Sequence, residues 1–406
     1  MKINKHCFPN GLRLVHYEDT STQMVALNIV YDVGARDEHP EHTGFAHLFE
    51  HLMFGGSAHI PDYDTPLQLA GGENNAWTNN DITNYYLTVP KPNVETAFWL
   101  ESDRMLELAF SEQSLEVQRG VVMEEFKQPY GDVGHLFRPL AFRVHPYRWP
   151  TIGKELSHIE QATLDEVKSF FYRFYAPNNA VLAVTGNISW DETVKLTEKW
   201  FAPIPRRDVP VRQLPQEPEQ TQERRLTVER NVPLDALFMG YHMCSREGAD
   251  YYAFDILSDI LSNGRSSRLN RRLVQEQNIF SGIDAYISGT RDAGLLQISG
   301  KPAAGVSLEQ AEAAVRKELE ELQRSPVDGQ ELEKVKNKFE STQIFGNINY
   351  LNVATNLAWF ELTGKAEDID LEVERYRSVT TEQLHTVAQR TFCESNAVVL
   401  YYKSDK

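Results

Sequence analysis

The chain repeats itself at a fixed interval. Thr163-Leu164-Asp165-Glu166-Val167 recurs as Thr380-Thr381-Glu382-Gln383-Leu384, and Asn179-Ala180-Val181-Leu182 recurs as Asn396-Ala397-Val398-Val399, both at a shift of 217 residues. An unchanged shift leaves no insertion between the blocks, so the chain is expected to fold as two copies of one unit. Each copy reads as a Thr-capped helix running into a strand rich in β-branched residues, the pattern of an α+β unit. Nearer the start of each half the shift is 210, pairing Ala26-Leu27 with Ala236-Leu237. Between the halves, Pro203, Pro205, Pro210, Pro215 and Pro218 stand among polar and charged residues, a linker signature. The expected organisation is an α+β domain over 1–202, a Pro-rich linker over 203–222 and a second α+β domain over 223–406. A hinge in that linker would let the two halves close on a peptide.

The first copy carries chemistry that the second lacks. His47-Leu48-Phe49-Glu50-His51 is an H-x-x-E-H sequence. At about 3.6 residues per turn, offsets of three and four bring His47, Glu50 and His51 to one face of a helix. Two neutral imidazoles can then grip one metal, and Glu50 lies where it can take a proton from water held there. Zn2+ is the expected ion, since imidazole and carboxylate ligands with an open position suit a redox-inert Lewis acid. Ala46, Phe49, Leu52 and Met53 would pack the other face into a core, and Gly55-Gly56 would stop the helix. At a shift of 210 the motif positions become Leu257, Ile260 and Leu261, an apolar core face.

A catalytic zinc site usually has three protein ligands, so another residue must join the histidines. Leu115, Gln118, Val122, Glu125 and Phe126 fall at helical spacing, and Pro129 is expected to end that helix. Both Glu124 and Glu125 lie on it. Adjacent helical residues point about 100° apart, so at most one of them faces the histidines, and periodicity does not choose between them.

The stretches His42 to Ser57, Gly71-Gly72-Glu73-Asn74-Asn75-Ala76-Trp77-Thr78 and Arg119-Gly120-Val121-Val122-Met123-Glu124-Glu125 together resemble the pitrilysin family of metallopeptidases, the inverzincins. The resemblance implies that His47 and His51 bind zinc, that Glu50 is the general base, and that Glu125 is the third ligand. It implies a fold of two homologous domains, each a mostly antiparallel sheet packed with helices, forming half of a clamshell. It also implies that the strand holding Asn75, Ala76 and Trp77 is a sheet edge that pairs with extended peptide, and that Phe54 lines a pocket beside the cut bond. The residues independently suggest a hairpin there: Ala76-Trp77-Thr78 and Tyr85-Tyr86-Leu87-Thr88-Val89 have strand propensity and flank the turn residues Asn79-Asn80-Asp81.

Three positions depart from the family pattern. Gln118 stands where many members have a second glutamate, and Val274 and Ser281 stand where members that work alone present an arginine and a tyrosine that hold the substrate backbone. The expectation is therefore a zinc endopeptidase that needs a related partner subunit, as a heterodimer rather than a homodimer. Local substitution by Arg268, Arg271 or Tyr286 is the alternative to a partner, and a non-catalytic scaffold subunit of the same family is the alternative function.

The net charge of −17 argues against a nucleic-acid surface, which needs clustered Lys and Arg. The sequence shows no apolar run near the 20 residues a membrane span requires and no apolar signal segment after Met1, so a cytoplasmic location is expected. Cys7, Cys244 and Cys393 are odd in number and far apart, which fits reduced thiols better than a disulfide framework.

Overall fold

A computed structural model of the protein describes residues 1–128 and 131–405. Pro129, the proline expected to end the helix before it, lies outside the described residues. The first compact unit is built on six strands: β1 (Ile3–Cys7), β2 (Arg13–Glu18), β3 (Met24–Tyr31), β4 (Glu73–Thr78), β5 (Thr83–Pro90) and β6 (Ala180–Gly186). The second is built on five: β7 (Arg224–Arg230), β8 (Ala236–His242), β9 (Phe280–Ile287), β10 (Leu295–Pro302) and β11 (Ala397–Ser404). The first sheet runs β1-β2-β6-β3-β5-β4 and the second β7-β11-β8-β10-β9. Apart from β1, the two orders are the same. Each sheet is antiparallel except at one pair, β2 with β6 and β7 with β11. The duplication inferred from the repeated blocks is thus a duplication of topology.

The helices repeat as well, at the same interval of 217. Thr163 caps the helix Leu164–Phe174 and Thr380 caps the helix Thr381–Thr391, each accepting a backbone amide three residues on. The helix Glu112–Phe126 has its counterpart in Gly329–Gly346, and Val133–Ala141 in Tyr350–Thr363. That last pair is exchanged. Residues 344–371 belong to the first compact unit and residues 131–148 to the second, so the units are not the contiguous halves 1–202 and 223–406.

The exchange follows from strands that are apolar on both faces. All seven residues of β6 are buried. Ala180, Leu182 and Val184 point into the core beneath the helices Phe45–Leu52, Val94–Leu106 and Leu164–Phe174, whereas Val181 and Ala183 point the other way. That second face must also be covered, because each exposed aliphatic side chain would forgo roughly 1.5–3 kcal/mol of burial. Val353, Ala354, Leu357 and Ala358 of the helix Tyr350–Thr363 cover it, packing on Val15, Ala26 and Val30 as well. In the second unit, Phe137 and Ala141 cover Val398 and Leu400 of β11 in the same way. Hydrophobic spacing reveals that such a helix has an apolar face, but not which sheet the face meets.

The expected linker is anchored along most of its length. In the first unit the Arg207 guanidinium donates to the carbonyls of Tyr175 (2.7 Å) and Leu106 (2.6 Å), and Arg212 pairs with Asp32 (2.8 Å) and Asp37. In the second unit Glu217 accepts the amides of Arg143, Val144 and His145 at 2.7, 2.9 and 3.1 Å, and Gln220 donates to the Ala397 carbonyl at 2.8 Å. Residues 213–216 lie between the anchors. Prolines keep the segment extended, and the charged residues between them fix it in place. Among the described residues, no helix is long and apolar enough to cross a membrane. All three cysteines are free.

Candidate metal centre

The H-x-x-E-H sequence lies on the helix Phe45–Leu52 in the first unit. Its start is set by Gly44, which has φ +89°, and a Cβ there would lie 2.7 Å from the Ile152 carbonyl. No residue next to the helix caps it. Instead the buried Glu38 side chain reaches its N-terminus and accepts the amides of Gly44 and Ala46, both at 2.9 Å, and burial raises its pKa to about 8. Phe45, Ala46, Leu48, Phe49 and Leu52 are buried, and Phe49 stacks on Phe170, Phe171 and Tyr175. This packing leaves the opposite face, with His47, Glu50 and His51, only partly buried. The helix then stops at Leu52, and the chain turns through Gly56 at φ +99°.

The helix Glu112–Phe126 begins at Ser111, whose hydroxyl accepts the Ser114 amide at 3.0 Å. Leu115 and Val122 are buried against the first helix, and this phase settles the choice that periodicity leaves open. Glu124 turns to solvent, pairing with Lys127 at 2.7 Å with 76% of its side chain exposed. Glu125 turns to the histidines: Oε2 lies 3.4 Å from His47 Nε2, and Oε1 lies 3.7 Å from His51 Nε2.

The ligand atoms of His47, His51 and Glu125 lie within 4.8 Å of one another, and no other His, Cys, Asp or Glu group among the described residues forms a cluster of this kind. Zinc bonds of about 2.1 Å at tetrahedral angles place neighbouring ligand atoms about 3.4 Å apart, so the cluster has the dimensions and donor types that zinc takes. The two imidazoles meet edge to face, 4.9 Å between centroids. His47 Nδ1 is buried without a hydrogen-bond partner among the described residues, while Nε2 is the nitrogen that faces Glu125. Burial, and then the neighbouring His51, lowers the pKa of His47 to about 4. At neutral pH its ring is therefore uncharged, the form that donates a lone pair to a cation. Glu50 is half-buried beside them; burial raises its pKa, against the lowering influence of Thr78 and His51.

Asn75, Ala76 and Trp77 lie on β4, the outermost strand of the first sheet, with Ala76 buried and its two neighbours exposed. The expected hairpin is present: Ala76 pairs with Tyr85, and the Asn79 side chain accepts the amides of Asp81 and Ile82 at 2.8 and 2.9 Å to close the turn. The Ala76 amide donates to the Asn75 side chain at 2.8 Å. Phe54 is half-buried just beyond the motif helix, against Tyr63 and Tyr85. Val274 packs on the core of the second unit, and the Ser281 hydroxyl donates to the Lys301 carbonyl at 3.1 Å. Of the residues considered as local replacements, Arg268 is paired with Glu331 at 2.7 Å, Arg271 lies 3.6 Å from Glu276, and Tyr286 is exposed on β9. Glu38, which braces the motif helix, escapes sequence reading because it belongs to no helical or metal-ligand spacing pattern.

Known proteins resemble this chain in sequence and in fold. Residues 13–130 match the family profile described as Insulinase (Peptidase family M16), and residues 161–339 match the profile described as Peptidase M16 inactive domain. The chain is 26% identical over 405 residues to "Zinc protease PqqE" of Helicobacter pylori, covering 97% of this chain and 91% of that protein. A crystal structure of a protease from Helicobacter pylori superposes with a TM-score of 0.95 at 25% identity, covering 99% of each chain. A peptidase M16 inactive domain from Pseudomonas fluorescens shares the fold, with a TM-score of 0.90 at 16% identity over 100% of this chain and 99% of that one. With an insulinase-type first part and an inactive-domain second part in one chain, this protein belongs to peptidase family M16.

Proposed function

We propose that the chain is a zinc-dependent endopeptidase that hydrolyses peptides or small unfolded proteins. The observation that carries this reading is the convergence of His47, His51 and Glu125, with the Glu50 carboxyl beside them. His47, His51 and Glu125 hold the ion, which when bound supplies a Lewis acid that acidifies water and polarises a carbonyl. Glu50 takes a proton from the attacking water and delivers it to the amide nitrogen as the C–N bond breaks, so the hydroxyl ends on the carbonyl carbon and the proton on the leaving amine. The edge of β4 binds the substrate main chain in extended form through Asn75, Ala76 and Trp77, and Phe54 meets a substrate side chain.

A second subunit completes the site. Val274 and Ser281 offer no charge or phenol to hold a substrate carbonyl, and a related chain bearing an arginine and a tyrosine supplies that clamp in a heterodimer. A homodimer would lack it twice. The inactive-domain match over residues 161–339 favours, as the second reading, a non-catalytic subunit. Cleavage of a quenched fluorescent peptide, read with metal content, separates the two. The endopeptidase reading expects Glu50→Gln to keep zinc and lose nearly all turnover; turnover that survives in this variant removes Glu50 from the mechanism, and a zinc-loaded wild type without turnover, alone or with its paralogue, supports the scaffold.

A further inference from the structure

Directly behind the candidate centre, Arg104 buries a whole positive charge, with 1% of its side chain exposed. Glu101 holds it along one edge by two hydrogen bonds, Nε to Oε2 at 2.8 Å and Nη2 to Oε1 at 2.6 Å, and the Tyr63 hydroxyl donates to the same carboxylate at 2.6 Å. Three rings gather on the guanidinium, with centroids at 4.6 Å for Tyr85, 4.7 Å for Tyr63 and 5.4 Å for Phe54. The rings also meet one another. Phe54 lies edge-on to Tyr63 at 5.7 Å and tilted to Tyr85 at 6.1 Å, and the Tyr85 hydroxyl donates to the Phe49 carbonyl of the motif helix at 3.0 Å.

Stability does not explain a charge in this place, because apolar side chains of similar volume commonly replace a buried ion pair without loss. Geometry does. A planar guanidinium fixed along one edge keeps one orientation, and the rings packed around it at mutually steep angles share a single arrangement. Tyr63 and Tyr85 are themselves buried, at 2% and 0% exposure, whereas Phe54 is partly open just beyond His51. We propose that the Glu101–Arg104 pair is a positioning element for Phe54, holding its ring in one orientation beside His51 and thereby setting which substrate side chain is accepted next to the cut bond. The selectivity part of this proposal rests on the endopeptidase reading; the orientation of the ring does not.

The test replaces the polar set as a unit, Tyr63→Phe with Glu101→Leu and Arg104→Met, so that no buried group is left without its partner. Arg104→Lys, which keeps the charge and loses the flat fork, serves as the milder variant. With 4-fluorophenylalanine at position 54 of the full chain, the wild type is expected to give one narrow fluorine signal, and the triple variant a shifted, broadened or split one. Against paired peptides with an aromatic residue or alanine at the position following the cut, the triple variant is expected to lose about fivefold in the kcat/KM ratio, with zinc content unchanged. Phe54→Ala should cause the same loss, and combining the changes should add nothing further. An unchanged fluorine signal, or selectivity losses that add, overturns the proposal. If zinc-loaded wild type cleaves no peptide, either alone or with its paralogue, the endopeptidase reading fails, and the fluorine spectra still decide whether the pair positions the ring.

Discussion

The Glu38 side chain accepts the Ala46 amide at 2.9 Å, fastening the start of the motif helix from eight residues upstream in the chain. A helix of eight residues is too short to hold its shape alone, so the direction of His47 and His51 depends on such outside supports. Glu38→Ala removes two hydrogen bonds from backbone amides and is expected to cost about 2–3 kcal/mol of stability and to weaken zinc binding roughly tenfold or more. Chemical denaturation and zinc titration check both. Unchanged zinc affinity would assign Glu38 to stability alone.

Glu124 and Glu125 are adjacent yet face opposite surroundings. Glu125→Gln should therefore lose most bound zinc, while Glu124→Gln, which loses only an exposed pair with Lys127, should retain it and change stability by less than about 0.5 kcal/mol. Metal analysis after gel filtration distinguishes the two. Equal loss in both variants would contradict the assignment.

Glu312 links the second sheet to its covering helices. Arg225 reaches it at 2.8 and 2.7 Å, Arg316 at 2.7 Å and the Tyr401 hydroxyl at 2.5 Å. Burial pushes its pKa up, but hydrogen bonds from Arg225, Tyr401 and Arg316 outweigh that and hold it at about 2. The folded-state value lies below the ordinary 4.5, so this stabilisation is complete above pH 4.5 and is lost as pH falls toward 2. Glu312→Gln is expected to cost about 2–3 kcal/mol at pH 7, with the gap from wild type closing on acidification. A gap that stays constant from pH 7 to pH 3 would rule out the linkage.

Val274 and Ser281 provide a direct test of the divided site. Installing Val274→Arg with Ser281→Tyr should raise kcat/KM of the chain alone by about tenfold or more, the worth of a charge-assisted hydrogen bond to substrate. The paralogous subunit should raise the wild type similarly. Full wild-type activity without a partner, and no gain in the variant, would remove the need for a second chain.

Much of this architecture was legible because the repeat is rigid in sequence. The 217-residue shift seen at Thr163 and Thr380 extends to the helices at Glu112 and Gly329, and carries Glu125 onto Thr342. Together with Leu257 and Leu261 in place of the histidines, that leaves the second copy without any of the three candidate ligands. The exchange of Val133–Ala141 and Tyr350–Thr363 was not legible, since Leu357 and Phe137 advertise burial without naming the sheet that buries them. Long-range polar supports were also silent: Glu38 and Arg104 act across folds of the chain that no local pattern records. The linker is legible from its prolines, whereas the partners of Arg207, Arg212 and Glu217 are unreadable until the strands they meet are in place.

The central claim is that one zinc ion is bound by His47, His51 and Glu125. Anomalous diffraction recorded on both sides of the zinc edge, from crystals of wild type grown with zinc, tests it most directly. A single strong anomalous peak is expected between the two Nε2 atoms and the Glu125 carboxylate, absent from crystals of Glu125→Gln. No peak there, or a peak coordinated by other residues, would contradict the account.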